Sequence, residues 1–297
     1  MASPAMNAEE RAEILFQKIS IALVAMSMVV FISNFYHSYQ LHRRNRQPIY
    51  TLCLVQSAIG CFCMIVNVFM DFTLNFLCHF RVYSSACLYM ISFICIELIL
   101  LMKAYYCNNR AKSVLFPGCG LLTICFGCSL WNLSTIQVSD MAEFHLYEGA
   151  PALRSCSVHV ESIAIIALII ADNLLNFYLT ICFLTNIYHS YKFNRSNLFA
   201  TLLRDGTLYS LVTSASSVII VTLTVTNVLG TRSSTLFAAS WAVSSKFTVE
   251  QFRNAEKARS RNVIIKGPSD LPYGKNKTTD FATTQFNYSS AEASTSH

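Results

Sequence analysis

Apolar runs, most of them long enough to cross a bilayer, alternate along this chain with shorter polar stretches. The first runs from about Ile19 to Tyr36 and ends at Tyr36, His37 and Tyr39, side chains that suit a membrane interface. The second covers about Ile49 to Met70, with Pro48 at its start. The third, Val82 to Tyr106, is almost wholly apolar, and at ~1.5 Å per residue it spans a ~30 Å hydrocarbon core. Further runs cover about Val114 to Leu133, His159 to Ile187, Thr207 to Leu229 and Thr235 to Phe252, the last being the least apolar. Seven helices are expected, with the third as the one the others pack around. Pro117 falls near the start of the fourth, where a first turn tolerates it.

The polar stretches set an orientation. If the N-terminus is outside, the inner loops hold Arg43, Arg44, Arg46, Arg110, Lys112, Lys192, Arg195 and Arg204, with Lys103 at the end of helix 3. The outer segments hold only Arg11, Lys18, Arg81, Arg154 and Arg232. That bias predicts N-terminus outside and C-terminus cytosolic. The expected organisation is a short extracellular segment, 1–16, a seven-helix domain, 17–252, and a disordered cytosolic tail, 253–297, polar and rich in Ser and Thr. No basic segment precedes a signal-like run at the N-terminus, so helix 1 is read as retained.

Composition supports the same class. Of 297 residues, 54% are hydrophobic and 13% charged. A soluble domain carries about 25% charge, so this chain has too few charges to cover a water-facing surface. The expected fold class is all-α, a polytopic membrane bundle in contact with the lipid bilayer. The net charge of +6 sits mainly in loops and tail and does not point to nucleic acid. The 12 cysteines fall mostly in apolar runs, without the paired CxxC spacing of a zinc site. No Gly-rich phosphate loop, H-E-x-x-H or nucleophile elbow is present, and the seven histidines are scattered. No enzyme activity, metal or cofactor is expected.

Ionisable groups inside apolar runs are the main candidates for function. A charge in hydrocarbon costs ~2.5–3.5 kcal/mol on the insertion scale and usually faces a bundle interior or cavity. Glu97 has only apolar helical neighbours, so its partner must come from another helix; Lys246 is the expected one. Asp172, near the centre of helix 5, forms a stripe with Asn176, Phe183 and Asn186. Helix 6 has a polar line in Ser210, Ser214, Ser217 and Thr224, and Asn67 adds an amide in helix 2. Two readings are open: a ligand cavity or switch network, or interhelical hydrogen bonds that hold the bundle. Lys246 occupies helix 7, where a retinal Schiff base would need a lysine, but it lies close to the inner end, where it can snorkel. Helix 6 has neither tryptophan nor proline to shape a retinal pocket. Cys78 and Cys156 both fall on the expected outer side; they form a disulfide over the bundle mouth or are two unrelated thiols. Asn132, in one of four N-x-[ST] matches, lies at the membrane edge.

KAYYCNNRAK (Lys103 to Lys112), LLRDGTLY (Leu202 to Tyr209) and ADNLLNFYLTICF in helix 5 together resemble a group of seven-helix, G-protein-coupled-receptor-like membrane proteins of filamentous fungi. The resemblance covers roughly residues 15–255 and implies a receptor-like fold with no particular ligand. By analogy with most seven-helix receptors, a tether from helix 3 to the second outer loop matches Cys78 and Cys156. The chain departs from rhodopsin-like receptors: helix 3 ends in Lys-Ala-Tyr-Tyr, and the hinge motifs of helices 6 and 7 are missing. The leading expectation is a plasma-membrane receptor for a small ligand, coupling inward through Lys103, Arg110, Lys112, Arg204 and Asp205, with a heterotrimeric G protein as the expected partner. The alternatives are a transporter or channel using Glu97 and Asp172, and a structural membrane protein.

Overall fold

The computed structural model describes residues 8–72, 78–144, 153–159, 161–193, 197–225 and 234–265. They form seven helices: α1 (Ala8–Arg44), α2 (Pro48–Phe72), α3 (Cys78–Cys107), α4 (Lys112–Ser134), α5 (Ser162–Phe193), α6 (Asn197–Val225) and α7 (Ser234–Ile265). Helices α1 to α5 each contain a stretch long and apolar enough to cross a membrane. Even the shortest helix, α4 with 23 residues, is about 35 Å long.

Neighbours in sequence pack side by side, and α7 closes the ring against α1. Helix α3 touches α2, α4, α5 and α7, so it lies at the centre of the bundle, as its uninterrupted apolar run predicts. One core joins Leu101 and Ala104 of α3 to Cys125 of α4 and Leu175 and Leu179 of α5. A second joins Phe31 of α1, Met64 of α2, Ile96 of α3 and Trp241 of α7.

Polarity is inverted relative to a water-soluble fold. Large apolar side chains point outward along the helices, among them Val29, Phe62, Phe116, Ile170, Phe177 and Leu211. Asn34, Ser38, Gln56, Ser92, Glu97 and Ser245 are buried between helices. Water would penalise so continuous an apolar exterior, whereas lipid does not.

The ends of the helices account for several sequence features. Pro48 occupies the first position of α2, where its missing N–H costs nothing. After α3, Asn109 (φ 50°) and Arg110 (φ 59°) turn into the left-handed region, and the Arg110 N–H donates to the Tyr105 carbonyl at 3.0 Å. This is a Schellman-type stop built without glycine.

The structure adds one element to the expected all-α bundle and corrects two boundaries. First, β1 (Gln137–Phe144) and β2 (Leu153–His159) form an antiparallel hairpin beside the helices, with an irregularity between Asp140 and Glu143. It lies against the start of α3, where the Tyr83 hydroxyl donates to the Ile136 carbonyl at 3.0 Å. A polar segment at the bundle end can satisfy its backbone by pairing with itself. Second, α6 begins at Asn197, ten positions before the predicted Thr207, so the LLRDGTLY segment is helical. Third, α7 continues past Phe252 to Ile265 instead of giving way to a disordered tail. The segment RNAEKARS is rich in good helix formers, and Ala255 and Ala258 are buried. The tail residues 266–297, and most of the short N-terminal segment's side chains, lie outside the described residues.

Helices α1 and α2 approach closely at Gly60, where any Cβ would run into the Phe31 ring. Phe31 in turn packs on Trp241, ring centroids 4.6 Å apart. Gly60→Leu is therefore expected to destabilise the bundle by ~1–3 kcal/mol through overpacking. Gly127→Leu, whose Cβ meets open space, should leave it unchanged. Thermal unfolding of both variants in the same detergent checks this.

Candidate functional site

Helices α3 to α7 enclose a cavity of about 110 Å³. Helical spacing decides which side chains reach it. On α3, Tyr89, Phe93 and Glu97 recur at four-residue steps. On α5, Leu168, Asp172 and Asn176 do the same. On α6 the cavity-facing line is Tyr209, Thr213, Ser217 and Ile220. The expected α6 line of Ser210, Ser214, Ser217 and Thr224 is thus only partly right. Ser217 lines the cavity, but Ser214 faces outward, and the Thr224 side chain lies outside the described residues. The cavity reaches Ile136 and Phe237, at the end of the bundle that carries the hairpin.

The floor of the cavity is a three-residue polar contact between α3 and α5. The Asn176 amide nitrogen donates to Asp172 Oδ1 at 2.7 Å and to Glu97 Oε1 at 3.2 Å. The Glu97 and Asp172 carboxyl groups are themselves within hydrogen-bonding range. Glu97 is only 1% exposed, and its Oε2 receives no N–H or O–H from a described residue. Two carboxylates cannot share so tight a site in low dielectric unless a proton or a cation stands between them. Glu97, Asp172 and Asn176, three candidates chosen from the sequence, are brought together here.

Lys246 is not part of this contact, contrary to expectation. Its ammonium pairs with Glu250 on the next turn of α7, at 3.2 Å. The reason is helical geometry. Trp241 and Ser244 face the cavity, and Lys246 lies two residues, ~200°, round the helix from Ser244. Asn67 is also elsewhere: it accepts from the Ser85 hydroxyl at 3.2 Å and ties α2 to α3.

A second network was largely missed. Asn34 of α1 donates to Ser245 of α7 at 2.8 Å; Ser245 donates to Gln56 of α2 at 3.3 Å. The Trp241 indole N–H donates to Ser92 of α3 at 3.0 Å, and Ser92 donates to the Gln56 carbonyl at 3.3 Å. Trp241 both lines the cavity and joins this buried spine. The signal was present as single amides in apolar runs and as the spacing of Trp241, Ser245 and Thr248.

The opposite end of the bundle gathers the expected coupling residues. Lys103 donates to Gln251 of α7 at 2.7 Å, its ammonium 4.2 Å from the Phe252 ring centre. Gln251 donates to the Asp205 carbonyl at 3.0 Å, and Asn254 to Asp205 Oδ2 at 2.9 Å. Arg204 pairs with Asp205 at 3.2 Å. Nearby, Asn108 donates to the Cys182 carbonyl at 3.0 Å and accepts from Asn186 at 3.3 Å. Arg110 rests near the Tyr106 ring, and Lys112 is exposed at the start of α4. Cys78 opens α3 and Cys156 pairs with Asp140 in the hairpin; both thiols lie outside the described residues. Among the described residues no group of three metal-ligating side chains occurs.

No family model matches this chain, and no curated protein does. The fold and its five spans define the class: a multi-pass helical membrane protein.

The Lys103–Gln251 contact is expected to couple α3 to α7 energetically. Lys103→Met and Gln251→Leu, made singly and together, should show a coupling of at least about 1 kcal/mol in thermal unfolding. Purely additive effects would assign the contact no energetic role.

Proposed function

We propose that this protein is a seven-helix receptor-like protein that takes a small ligand in the α3–α7 cavity and signals to the opposite end of the bundle. The observation that carries this reading is the placement of two polar centres on one shared helix, α3. The carboxyl pair joins α3 to α5 under the cavity, and the Lys103–Gln251–Asp205 cluster joins α3, α7 and α6 at the far end. A ligand that separates or bridges the carboxyl groups changes the α3–α5 contact, and α3 carries that change to Lys103. The distribution of Lys and Arg supports the N-terminus outside, six loops and a cytosolic C-terminus, with the cavity mouth and hairpin outward. The sequence resemblance to fungal seven-helix receptor-like proteins supports the same reading, with the plasma membrane as location and a heterotrimeric G protein as partner.

A second reading rests on the carboxyl pair alone: a transporter or channel that uses it as a coupling group. Purification from the native membrane separates the two. Recovery of a heterotrimeric G protein that dissociates on adding GTP is the expected result. Solute uptake into proteoliposomes holding only this protein would overturn the receptor reading.

The outer tether is a separate expectation. Cys78→Ser and Cys156→Ser should each lower surface expression, and the double variant should be no worse than either alone. Free thiols at both positions under non-reducing conditions would dispose of the bridge.

A further inference from the structure

We infer that the α3–α7 cavity binds a small primary amine in its protonated form, which replaces the proton held between Glu97 and Asp172. The inference deepens the ligand-site part of the functional reading and does not need the chain to signal.

The charge on the wall is one-sided. Three residues that line the cavity each carry a buried side-chain oxygen with no hydrogen-bond partner among the described residues: Glu97 Oε2, Asn132 Oδ1 and Asn176 Oδ1. All three are acceptors. The Asn176 orientation is set by its nitrogen, which faces both carboxyl groups, so its oxygen must point away from them. These oxygens lack donors, although hydroxyls of Tyr89, Tyr209, Ser217, Ser240 and Ser244 stand elsewhere on the wall. The site also lacks positive charge: among the described residues no Lys, Arg or His lines the cavity. The titratable groups that face the carboxyl pair are Tyr89 of α3, Cys125 of α4 and Tyr209 of α6, none of which is cationic in either state.

A primary ammonium answers both needs. It carries one positive charge and three N–H donors, enough to bridge Glu97 Oε2 and an Asp172 oxygen with one donor to spare. The remaining wall is mixed and includes the rings of Tyr89, Phe93, Phe237 and Trp241, which suit an apolar or aromatic substituent on the amine. The volume is close to the ~150 Å³ at which an engineered apolar cavity holds benzene, so a one-ring amine is the size class. Asn132, near the cavity mouth, offers a second acceptor to a ligand with a distal hydroxyl or amine.

The exchange balances. Without ligand, one carboxyl O–H proton lies between Glu97 and Asp172. On binding, that proton leaves to solvent, both groups become carboxylates, and the ammonium takes the bridging place. Net charge inside the bundle is unchanged, and the ammonium offsets the second carboxylate it creates. One proton released per ligand makes affinity rise with pH, by up to tenfold per unit while the empty pair holds its proton.

The test uses the full chain in lipid nanodiscs and isothermal titration with benzylammonium. Benzyl alcohol serves as the neutral match and tetramethylammonium as a cation without N–H donors. Saturable benzylammonium binding, release of about one proton per ligand (read from two buffers of different ionisation heat) and weak or no binding of both controls are expected. Glu97→Gln and Asp172→Asn should each weaken binding at least about tenfold and suppress proton release, while Lys246→Met should change neither. The wild-type proton count stands even if a carboxyl variant fails to fold. Equal binding of benzyl alcohol, binding without proton release, or no benzylammonium binding across pH 5–8 would overturn the inference. In the last case the pair holds a proton only. Binding without any G-protein response would leave this site standing and sink the receptor reading. A response to a neutral ligand with no amine binding would do the reverse.

Discussion

Inside a bilayer a polar side chain has no water to turn to, so it must find another polar group on a neighbouring helix. That constraint organises this protein. Its lipid-facing apolar residues hold no particular geometry, because one lipid-facing leucine is as good as another. Its amides, hydroxyls and carboxyls face inward and must meet in defined pairs. The contact at which most depends on one residue is Asn176, whose single amide nitrogen serves Asp172 on its own helix and Glu97 on α3. Without it, two carboxyl groups would face one another in low dielectric with no donor between them.

Three polar layers follow along the bundle. The carboxyl layer joins α3 to α5. The spine of Asn34, Gln56, Ser92, Trp241 and Ser245 joins α1, α2, α3 and α7. The end cluster of Lys103, Gln251, Asp205 and Asn254 joins α3, α6 and α7. Helix α3 contributes to all three, which gives its central position an energetic meaning beyond packing. Trp241 connects two of them, since it lines the cavity and donates into the spine. The cavity wall thus shares Trp241 with the spine and Glu97, Asp172 and Asn176 with the carboxyl layer. Helix α7 takes part in most of these contacts, through Trp241, Ser245, Gln251 and Asn254.

The short segments behind the sequence resemblance have structural jobs in this fold. In LLRDGTLY, Asp205 receives the Asn254 amide, and Gly206 lets α6 approach the Phe183 and Leu184 side chains of α5. In KAYYCNNRAK, Lys103 reaches α7, Asn108 reaches the Cys182 carbonyl of α5, and Asn109 with Arg110 ends the helix. These roles would constrain the same residues in any protein with this helix arrangement, whatever it binds.

Apolar run length alone determined that the chain is helical and suited to a membrane, because a ~30 Å hydrocarbon core demands ~20 apolar residues per crossing. It also picked out Glu97, Asp172 and Asn176, since a carboxyl in such a run is costly and draws attention by its rarity. Local sequence did not reveal where α7 ends or that a hairpin follows α4, because backbone pairing of a polar segment depends on what it lies against. Nor did it reveal partners. By charge alone Lys246 is the natural counter-charge for Glu97, but one helix rotates ~100° per residue, and its position next to Ser245 aims it at Glu250 instead. Which cation, amide or acid each buried group meets depends on the rotation and offset of two helices at once, and only the packed bundle decides that.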